Sequence, residues 1–323
     1  MAALGLRAPR RKRHESLSSW RIRDRVGLAM CWLAGLTLCA IAGAIVLYMA
    51  VRGVQYLRPE LLLSKPEATM DQSRSGGFLD PIVGTLLLTV IGIAIATPLG
   101  VCTAVWMVEY GRPRWLARLV ESGIEVVAGT PDIVIAIFGL ALFQQGIFSW
   151  LSFTSADGAV FGRSFLTAGA AMSLIALPMV FGSTREALEA MPRQLREASY
   201  ALGKTQAATI RRVLVPAARP SISSGAVLGM GRIVGDTAVV VVLLGATLRI
   251  DPSGSLPGVD VLRGTGGTLT SYVYNNSPAG EGNAPEKAYA AAFVLLIIVM
   301  ALNGAVELIS RRAGGSVLAQ GRT

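Results

Sequence analysis

Long apolar runs recur along this sequence, and they restrict its possible folds more than any other feature. Six of them are long enough to cross the hydrocarbon core of a bilayer, which needs roughly 20 apolar residues. These runs cover residues 26–51, 82–108, 119–143, 165–183, 219–247 and 287–310. Only 15% of the residues are charged, and the mean hydropathy is +0.54, far from that of a soluble domain. The sequence therefore predicts an all-α membrane protein with six transmembrane helices.

The positions of Lys and Arg predict how the chain is oriented in the membrane. Of the 30 basic residues, 21 lie in segments that would share one side with both termini, eight lie on the other side, and Arg232 lies within a span. Because basic residues accumulate on the cytoplasmic side, both termini and the segment 184–218 are expected to be cytoplasmic. This bias also accounts for most of the net charge of +10, so the charge gives no reason to expect a nucleic-acid partner.

The segments between the apolar runs divide the chain into five parts. They are a basic cytoplasmic tail at 1–25, a first transmembrane helix at 26–51, an external loop at 52–80, a transmembrane domain at 81–310 and a cytoplasmic tail at 311–323. A cleaved signal peptide is the alternative for the first run, but its length of about 26 residues exceeds the usual roughly 7 to 15. Within the large domain, the segment 248–286 is rich in Gly, Pro, Ser and Asn and is expected to face an extracytoplasmic partner.

A polar segment between the fourth and fifth runs has the pattern of two short helices joined at a glycine. Pro192 suits the first turn of a helix, and Gly203 supplies a left-handed cap at its end. Thr205 can cap the second helix, and Pro216 marks the point where regular helical hydrogen bonding stops. Apolar and small side chains fall on one face of the first helix, namely Leu195, Ala198, Ser199 and Leu202. The segment is therefore predicted to leave the membrane and turn back.

The same segment resembles the EAA loop of ABC importer permeases. That signature reads Glu-Ala-Ala, three residues, Gly, nine residues, Ile, one residue and Leu-Pro. The matching positions here are Glu197, Ala198, Ser199, Gly203, Val213, Val215 and Pro216. Ser replaces Ala, and Val replaces both Ile and Leu; none of these small or apolar replacements changes the predicted helix-Gly-helix shape. The resemblance implies that these residues form the coupling helix that docks into a groove on a cytoplasmic ATPase.

Two charged residues inside the fifth run, Arg232 and Asp236, are four positions apart and are predicted to share one helix face. A charge at this depth costs at least ~2.5 kcal/mol on insertion scales, so the face must look into a helix bundle or a wet path. A guanidinium offers a fork of donors that fits a tetrahedral oxyanion. Phosphate, unlike sulfate, still carries protons at neutral pH and can donate one to a carboxylate, while Thr237 can donate or accept. The alternative is an ion pair that only fixes helix packing.

The order Arg232, two residues and Gly235-Asp236-Thr237-Ala238 is similar to a segment of the permeases of phosphate-specific ABC importers of the PstA type. Those permeases carry Arg, two or three residues and Gly-Glu-Thr-Ala, so Asp here replaces a longer Glu. They form part of the binding-protein-dependent transport system inner membrane component family. The resemblance implies a type I ABC importer permease fold in the bacterial plasma (inner) membrane, and a phosphate path that includes Arg232, Asp236 and Thr237.

The resemblance also implies partners. They are a second permease of the PstC type, a cytoplasmic ATPase dimer of the PstB type, an extracytoplasmic phosphate-binding protein of the PstS type, inorganic phosphate and the lipid bilayer. The chain itself would bind no cofactor, because ATP and Mg²⁺ belong to the ATPase. Arg185 becomes a candidate second anion contact, one turn after Gly182, where the family places an arginine.

No nucleotide site or catalytic centre is expected in the chain itself. The residues Gly203-Lys204-Thr205 look like the end of a Walker A loop, but Ala198 stands where that loop needs its first glycine.

The interrupted third run places Asp132 directly after Pro131, where related permeases are expected to carry Ser. Because a carboxylate inside the membrane is costly and often functional, a proton-coupled secondary carrier that uses Asp132 and Asp236 is one alternative. An ABC importer for another oxyanion or for an amino acid is the other.

Overall fold

The computed structural model of this chain describes residues 22–67, 76–155, 157–245, 250, 259–278, 280 and 284–319, the last eleven of these without their side chains. Most of the predicted basic tail and part of the C-terminal tail fall outside the described residues. Within them the chain is helical, and its β-type pairing is an isolated bridge between Thr154 and Val160. The prediction of an all-α fold is therefore confirmed for the described part of the chain.

Thirteen α-helices are described in the ranges given above. They are α1 (Ile22–Tyr56), α2 (Pro59–Leu63), α3 (Leu79–Val105), α4 (Arg114–Gly129), α5 (Asp132–Phe143), α6 (Phe165–Glu189), α7 (Arg193–Ala201), α8 (Gln206–Thr209), α9 (Val215–Gly235), α10 (Ala238–Leu243), α11 (Val259–Arg263), α12 (Leu269–Asn276) and α13 (Pro285–Ala319). Two π-helical turns extend α3 and α8, at Trp106–Tyr110 and Ile210–Leu214. A 3₁₀ helix, Gly146–Leu151, follows α5.

Among the described residues, four helices are long and apolar enough to cross a membrane, and a fifth crossing exists if a bent pair counts as one span. The four are α1, α3 with its π turn, α6 and the first part of α13 up to Leu308. The bent pair is α4 and α5, whose axes differ by 111°. The prediction of six transmembrane helices is thus confirmed only for four or five, because the fifth apolar run is divided into α9 and the six-residue α10.

Local backbone rules explain the two breaks. Pro131 cannot donate a backbone hydrogen bond, and Thr130 before it has the extended conformation (φ −81°, ψ 133°) that residues preceding proline prefer. At the second break, Asp236 is also extended (φ −79°, ψ 131°). Asp favours such positions because its side chain can bond to nearby backbone amides instead of continuing the helix.

The chain divides into two compact units, Met1–Val51 and Arg52–Thr323. In the second unit, α3, α6 and α9 pack closely on one another through small residues. A Cβ added to Gly225 would lie 2.9 Å from the carbonyl oxygen of Met179, and one added to Gly100 would lie 2.9 Å from Val180 Cγ1. Glycine is therefore needed at both crossings, as expected where membrane helices approach closely.

Part of the segment 248–286 is packed inside the protein, although the sequence suggested that it faces an external partner. In α12, the Leu269 amide donates to Thr85 Oγ1 at 2.9 Å, which fixes this short helix on α3. Tyr272 is fully buried and packs edge-on against Phe78, with ring centroids 5.7 Å apart. Burial raises the pKa of the Tyr272 hydroxyl to about 12, so this side chain stays neutral.

Candidate functional site

The two helix breaks bring an arginine and a carboxylate together from distant parts of the sequence. Arg232 lies in the last turn of α9, and Asp132 is the first residue of α5. Arg232 Nη2 donates to Asp132 Oδ1 at 2.8 Å, a contact between residues 100 positions apart. The prediction that Arg232 and Asp236 share one face of a continuous helix is wrong, because α9 ends at Gly235.

Asp236 stabilises the second helix break. Its Oδ1 accepts a hydrogen bond from the Val239 amide at 2.8 Å, which satisfies a free donor at the start of α10. Its backbone carbonyl accepts a hydrogen bond from Thr270 Oγ1 at 3.2 Å, so α12 also fixes the break. Asp236 is only 8% exposed, but it still interacts with Asp132 and Arg232. The sequence did contain a signal for this break, because Gly followed by Asp and Thr is typical of a helix end and a new start.

The site is open on one side. The Arg232 side chain is 41% exposed and that of Asp132 is 28% exposed. Gly231 and Gly235 flank Arg232, and a Cβ added to either would meet no atom within 4 Å. Thr237 is half-buried at the start of α10. An anion therefore has room to approach the guanidinium, with two carboxylates close by.

Arg185 lies in a separate ion-pair cluster near the end of α6. Its Nε donates to Glu189 Oε1 at 2.8 Å, and its Nη1 pairs with Glu121 of α4. Two carboxylates therefore already engage this guanidinium, and these contacts join α4 to α6. The structure does not bring Arg185 into the group formed by Arg232, Asp132 and Asp236. Among the described residues, no three His, Cys, Asp or Glu side chains lie close enough together to hold a metal ion.

The polar segment after α6 forms the predicted pair of short helices. Gly203 has φ +75°, the left-handed conformation expected of a glycine cap after α7. The Thr205 hydroxyl accepts a hydrogen bond from the Ala208 amide at 3.3 Å and caps α8, as predicted. Ser199 Oγ and Thr209 Oγ1, both buried, lie 2.8 Å apart and join the two helices. The helix-Gly-helix prediction is confirmed.

Pro216, however, does not end the second helix. The Ile210–Leu214 π turn follows α8 directly and runs into α9, so helical structure continues from Gln206 to Gly235. In the π turn the Val215 amide bonds to the Ile210 carbonyl, one residue further back than in an α-helix. This wider turn just before Pro216 lets the chain accommodate a residue that has no backbone donor. The sequence rule for Pro failed here because it assumes regular α-helical bonding.

A glutamate that the sequence analysis overlooked anchors this segment to the end of α3. Glu109 Oε1 accepts hydrogen bonds from Arg196 Nη2 at 2.7 Å and Nε at 3.0 Å. Gln206 Nε2 donates to the Glu109 carbonyl at 2.8 Å, and Arg196 also donates to the Leu188 and Met191 carbonyls. The Glu109 side chain is only 6% exposed. One signal was available, since Glu109 is the single acidic residue in an otherwise basic loop.

The outward side of α7 carries an apolar stripe. Leu195 and Leu202 are 42% and 78% exposed, and Ala198 between them is exposed too. Ser199, predicted on the same face, is instead buried against α8. The remaining residues of the EAA-like pattern differ in exposure: Glu197 and Gly203 are exposed, whereas Val213 and Pro216 are half-buried. α7 therefore presents apolar side chains on its outer surface.

Comparison with known proteins relates this geometry to a family. Residues 96–315 match the family described as binding-protein-dependent transport system inner membrane component. The phosphate transport system permease protein PstA 1 of Mycobacterium tuberculosis (strain CDC 1551 / Oshkosh) is 34% identical over 235 residues, which cover 73% of this chain and 71% of the relative. The probable ABC transporter permease protein YqgH of Bacillus subtilis (strain 168) is 32% identical over 261 residues, 79% of each protein.

A solved structure has the same fold. It is a bacterial alginate ABC transporter in complex with an alginate pentasaccharide-bound periplasmic protein, and one of its chains matches with a TM-score of 0.63 at 15% identity. The match covers 90% of this chain and 96% of the other. The sequence and structure matches agree with the resemblance noted in the EAA-like segment. The chain therefore belongs to the binding-protein-dependent transport system inner membrane component family.

Proposed function

We propose that this chain is a permease subunit of an ATP-driven phosphate importer in the bacterial plasma membrane. It crosses the membrane six times with both termini in the cytoplasm, and the broken pairs α4–α5 and α9–α10 form two of the crossings. It shares the translocation path with a second permease and receives phosphate from an extracytoplasmic binding protein. A cytoplasmic ATPase dimer, which binds ATP and Mg²⁺, drives the cycle, and this chain performs no covalent chemistry.

The observation that carries this proposal is the partly exposed Arg232 at a helix break. Broken helices near the middle of a membrane are where transporters often bind their cargo. Arg232 has one described acid partner at 2.8 Å and faces open space beside Gly231 and Gly235. Its planar fork of donors suits phosphate better than a point charge would. The Mycobacterium tuberculosis relative is named a phosphate transport system permease protein, which supports the same cargo.

The coupling step follows from the continuous helical segment between Gln206 and Gly235. This segment begins in the surface that would dock on the ATPase and ends beside Arg232. At 1.5 Å per residue, the two ends are roughly 40 Å apart. A tilt of about 5° at the cytoplasmic end would therefore move the far end by roughly 3.5 Å, given a rigid segment of that length. Closure of the ATPase dimer can thus change access to Arg232 without any other connection.

Phosphate uptake by the reconstituted complex tests this function. Proteoliposomes containing both permeases and the ATPase, with phosphate-loaded binding protein outside, should take up radiolabelled phosphate only when ATP is inside. Arg232→Ala should lower uptake tenfold or more, since a charge-assisted anion contact is worth about 1.5–3 kcal/mol. Arg163→Ala, a change at an exposed arginine outside the site, is the matched control and should transport normally.

Two results would refute the proposal. Normal uptake by an assembled Arg232→Ala complex would remove the assigned cargo contact. Uptake driven by a proton gradient, indifferent to ATP, would instead support a secondary carrier that uses Asp132 and Asp236.

A further inference from the structure

A carboxylate from a distant helix stands beside the proposed anion contact. Asp132 begins α5, and its Oδ1 accepts a hydrogen bond from Arg232 Nη2 at 2.8 Å. Both side chains are partly exposed, 28% for Asp132 and 41% for Arg232. An anion that binds Arg232 must therefore come close to Asp132 as well.

The second carboxylate of the group is less available to such an anion. Asp236 is 8% exposed, and its Oδ1 is already bonded to the Val239 amide at 2.8 Å. Loss of that bond would leave a donor of α10 unsatisfied. Asp132 is the more exposed of the two acids and the one in direct contact with the guanidinium. Asp132 is therefore the better placed of the two acids to meet an anion at Arg232.

We infer that Asp132 selects a protonated oxyanion at Arg232, an inference that rests on the proposed function. A carboxylate beside the guanidinium can accept a hydrogen bond from a P–OH group of phosphate, which keeps protons at neutral pH. Sulfate has no proton to donate at that pH, so its oxygens would face the carboxylate with like charge and no hydrogen between them. When no anion is bound, the same carboxylate neutralises Arg232 inside the membrane.

The substitution Asp132→Asn separates this role from a purely structural one. Asn keeps the shape of the side chain, but its amide is neutral and can donate to any oxyanion. Removal of one charge-assisted hydrogen bond changes affinity by roughly tenfold to a hundredfold. The variant should therefore bind phosphate less tightly and sulfate more tightly. An ion pair that only fixed helix packing would leave the ratio of the two affinities unchanged.

The permease–ATPase complex in lipid nanodiscs, with the binding protein left out, allows anions to reach the path without prior selection. Binding of radiolabelled phosphate is measured at increasing sulfate concentrations. Phosphate bound to the ATPase is still present in the Arg232→Ala complex. The difference in binding between the unsubstituted complex and Arg232→Ala therefore measures phosphate bound in the path. In the unsubstituted complex, the Arg232-dependent phosphate binding should persist at high sulfate concentrations. In the Asp132→Asn complex, sulfate should displace this phosphate at a concentration at least tenfold lower.

Asp157→Asn, the same change at an exposed acid outside the site, is the matched control and should keep the resistance to sulfate. Asp236→Asn removes the same charge from the buried neighbour and shows which of the two acids acts on the anion. Asp132→Ser carries the same prediction as Asp132→Asn if the Asn variant fails to assemble. Sulfate resistance that survives in both Asp132 variants would overturn the inference and leave the proposed function intact. Sulfate competition that arises only in Asp236→Asn would overturn it in favour of Asp236. The complete absence of Arg232-dependent phosphate binding in the unsubstituted complex would overturn the proposed function as well.

Discussion

The pair formed by Glu109 and Arg196 should stabilise the helix-Gly-helix segment α7–α8, because it is buried and joins α7 to the end of α3. The Glu109 side chain is 6% exposed and that of Arg196 is 19% exposed. Arg196 donates to Glu109 Oε1 through two nitrogens, at 2.7 and 3.0 Å. Arg196→Gln would leave the glutamate buried without its cationic partner. Such an unpaired buried charge typically costs about 3–5 kcal/mol.

Glu109→Gln should cost less, because the amide oxygen can still accept a hydrogen bond from Arg196. The free energy of unfolding should then fall by the difference between a charged and a neutral hydrogen bond, about 1–2 kcal/mol. The double variant should be more stable than the sum of the two single effects predicts, since it leaves no unpaired charge. The expected coupling energy is about 1–3 kcal/mol.

Equilibrium unfolding of the purified complex in a titration with SDS measures these free energies. Arg193→Gln, at an exposed position on the same helix, is the control and should change stability by less than about 0.5 kcal/mol. If the two single effects added to within about 0.5 kcal/mol in the double variant, the argument that these residues act as one buried pair would be refuted.

Two further predictions concern helix packing and docking. Gly225→Leu should destabilise the protein by about 1–3 kcal/mol, because a side chain there would meet the Met179 carbonyl. Thermal unfolding checks this, with Gly182→Ala, where a Cβ meets no atom within 4 Å, as the control that should unfold normally. Leu202→Glu should sharply reduce copurification of the ATPase and leave thermal unfolding unchanged, because Leu202 is 78% exposed. Full copurification with the variant would exclude this residue from the docking surface.

Features that depend on a few neighbouring residues were predictable from the amino-acid pattern. The long apolar runs gave the helices α1, α3, α6 and α13, since length and hydropathy are local properties. Gly203 and Thr205 were correctly assigned as caps, because each acts on backbone groups within a few positions of itself.

Contacts between distant residues were not predictable in this way. Arg232 pairs with Asp132, 100 positions away, rather than with Asp236. This pairing is possible because the break between α4 and α5 and the break between α9 and α10 lie next to each other in the fold. The link from Arg196 to Glu109 spans 87 positions and depends on how α7 packs on the end of α3.

The same distinction explains why the local rule for proline failed. Pro216 should have ended a helix, but the π turn before it lets the helix continue, so α8 and Arg232 belong to one continuous helical stretch. Residue type and spacing fix what each segment can do by itself. The packing of the helices fixes which charges meet, because the free energy of a charge in a membrane depends on the partner that the fold places beside it.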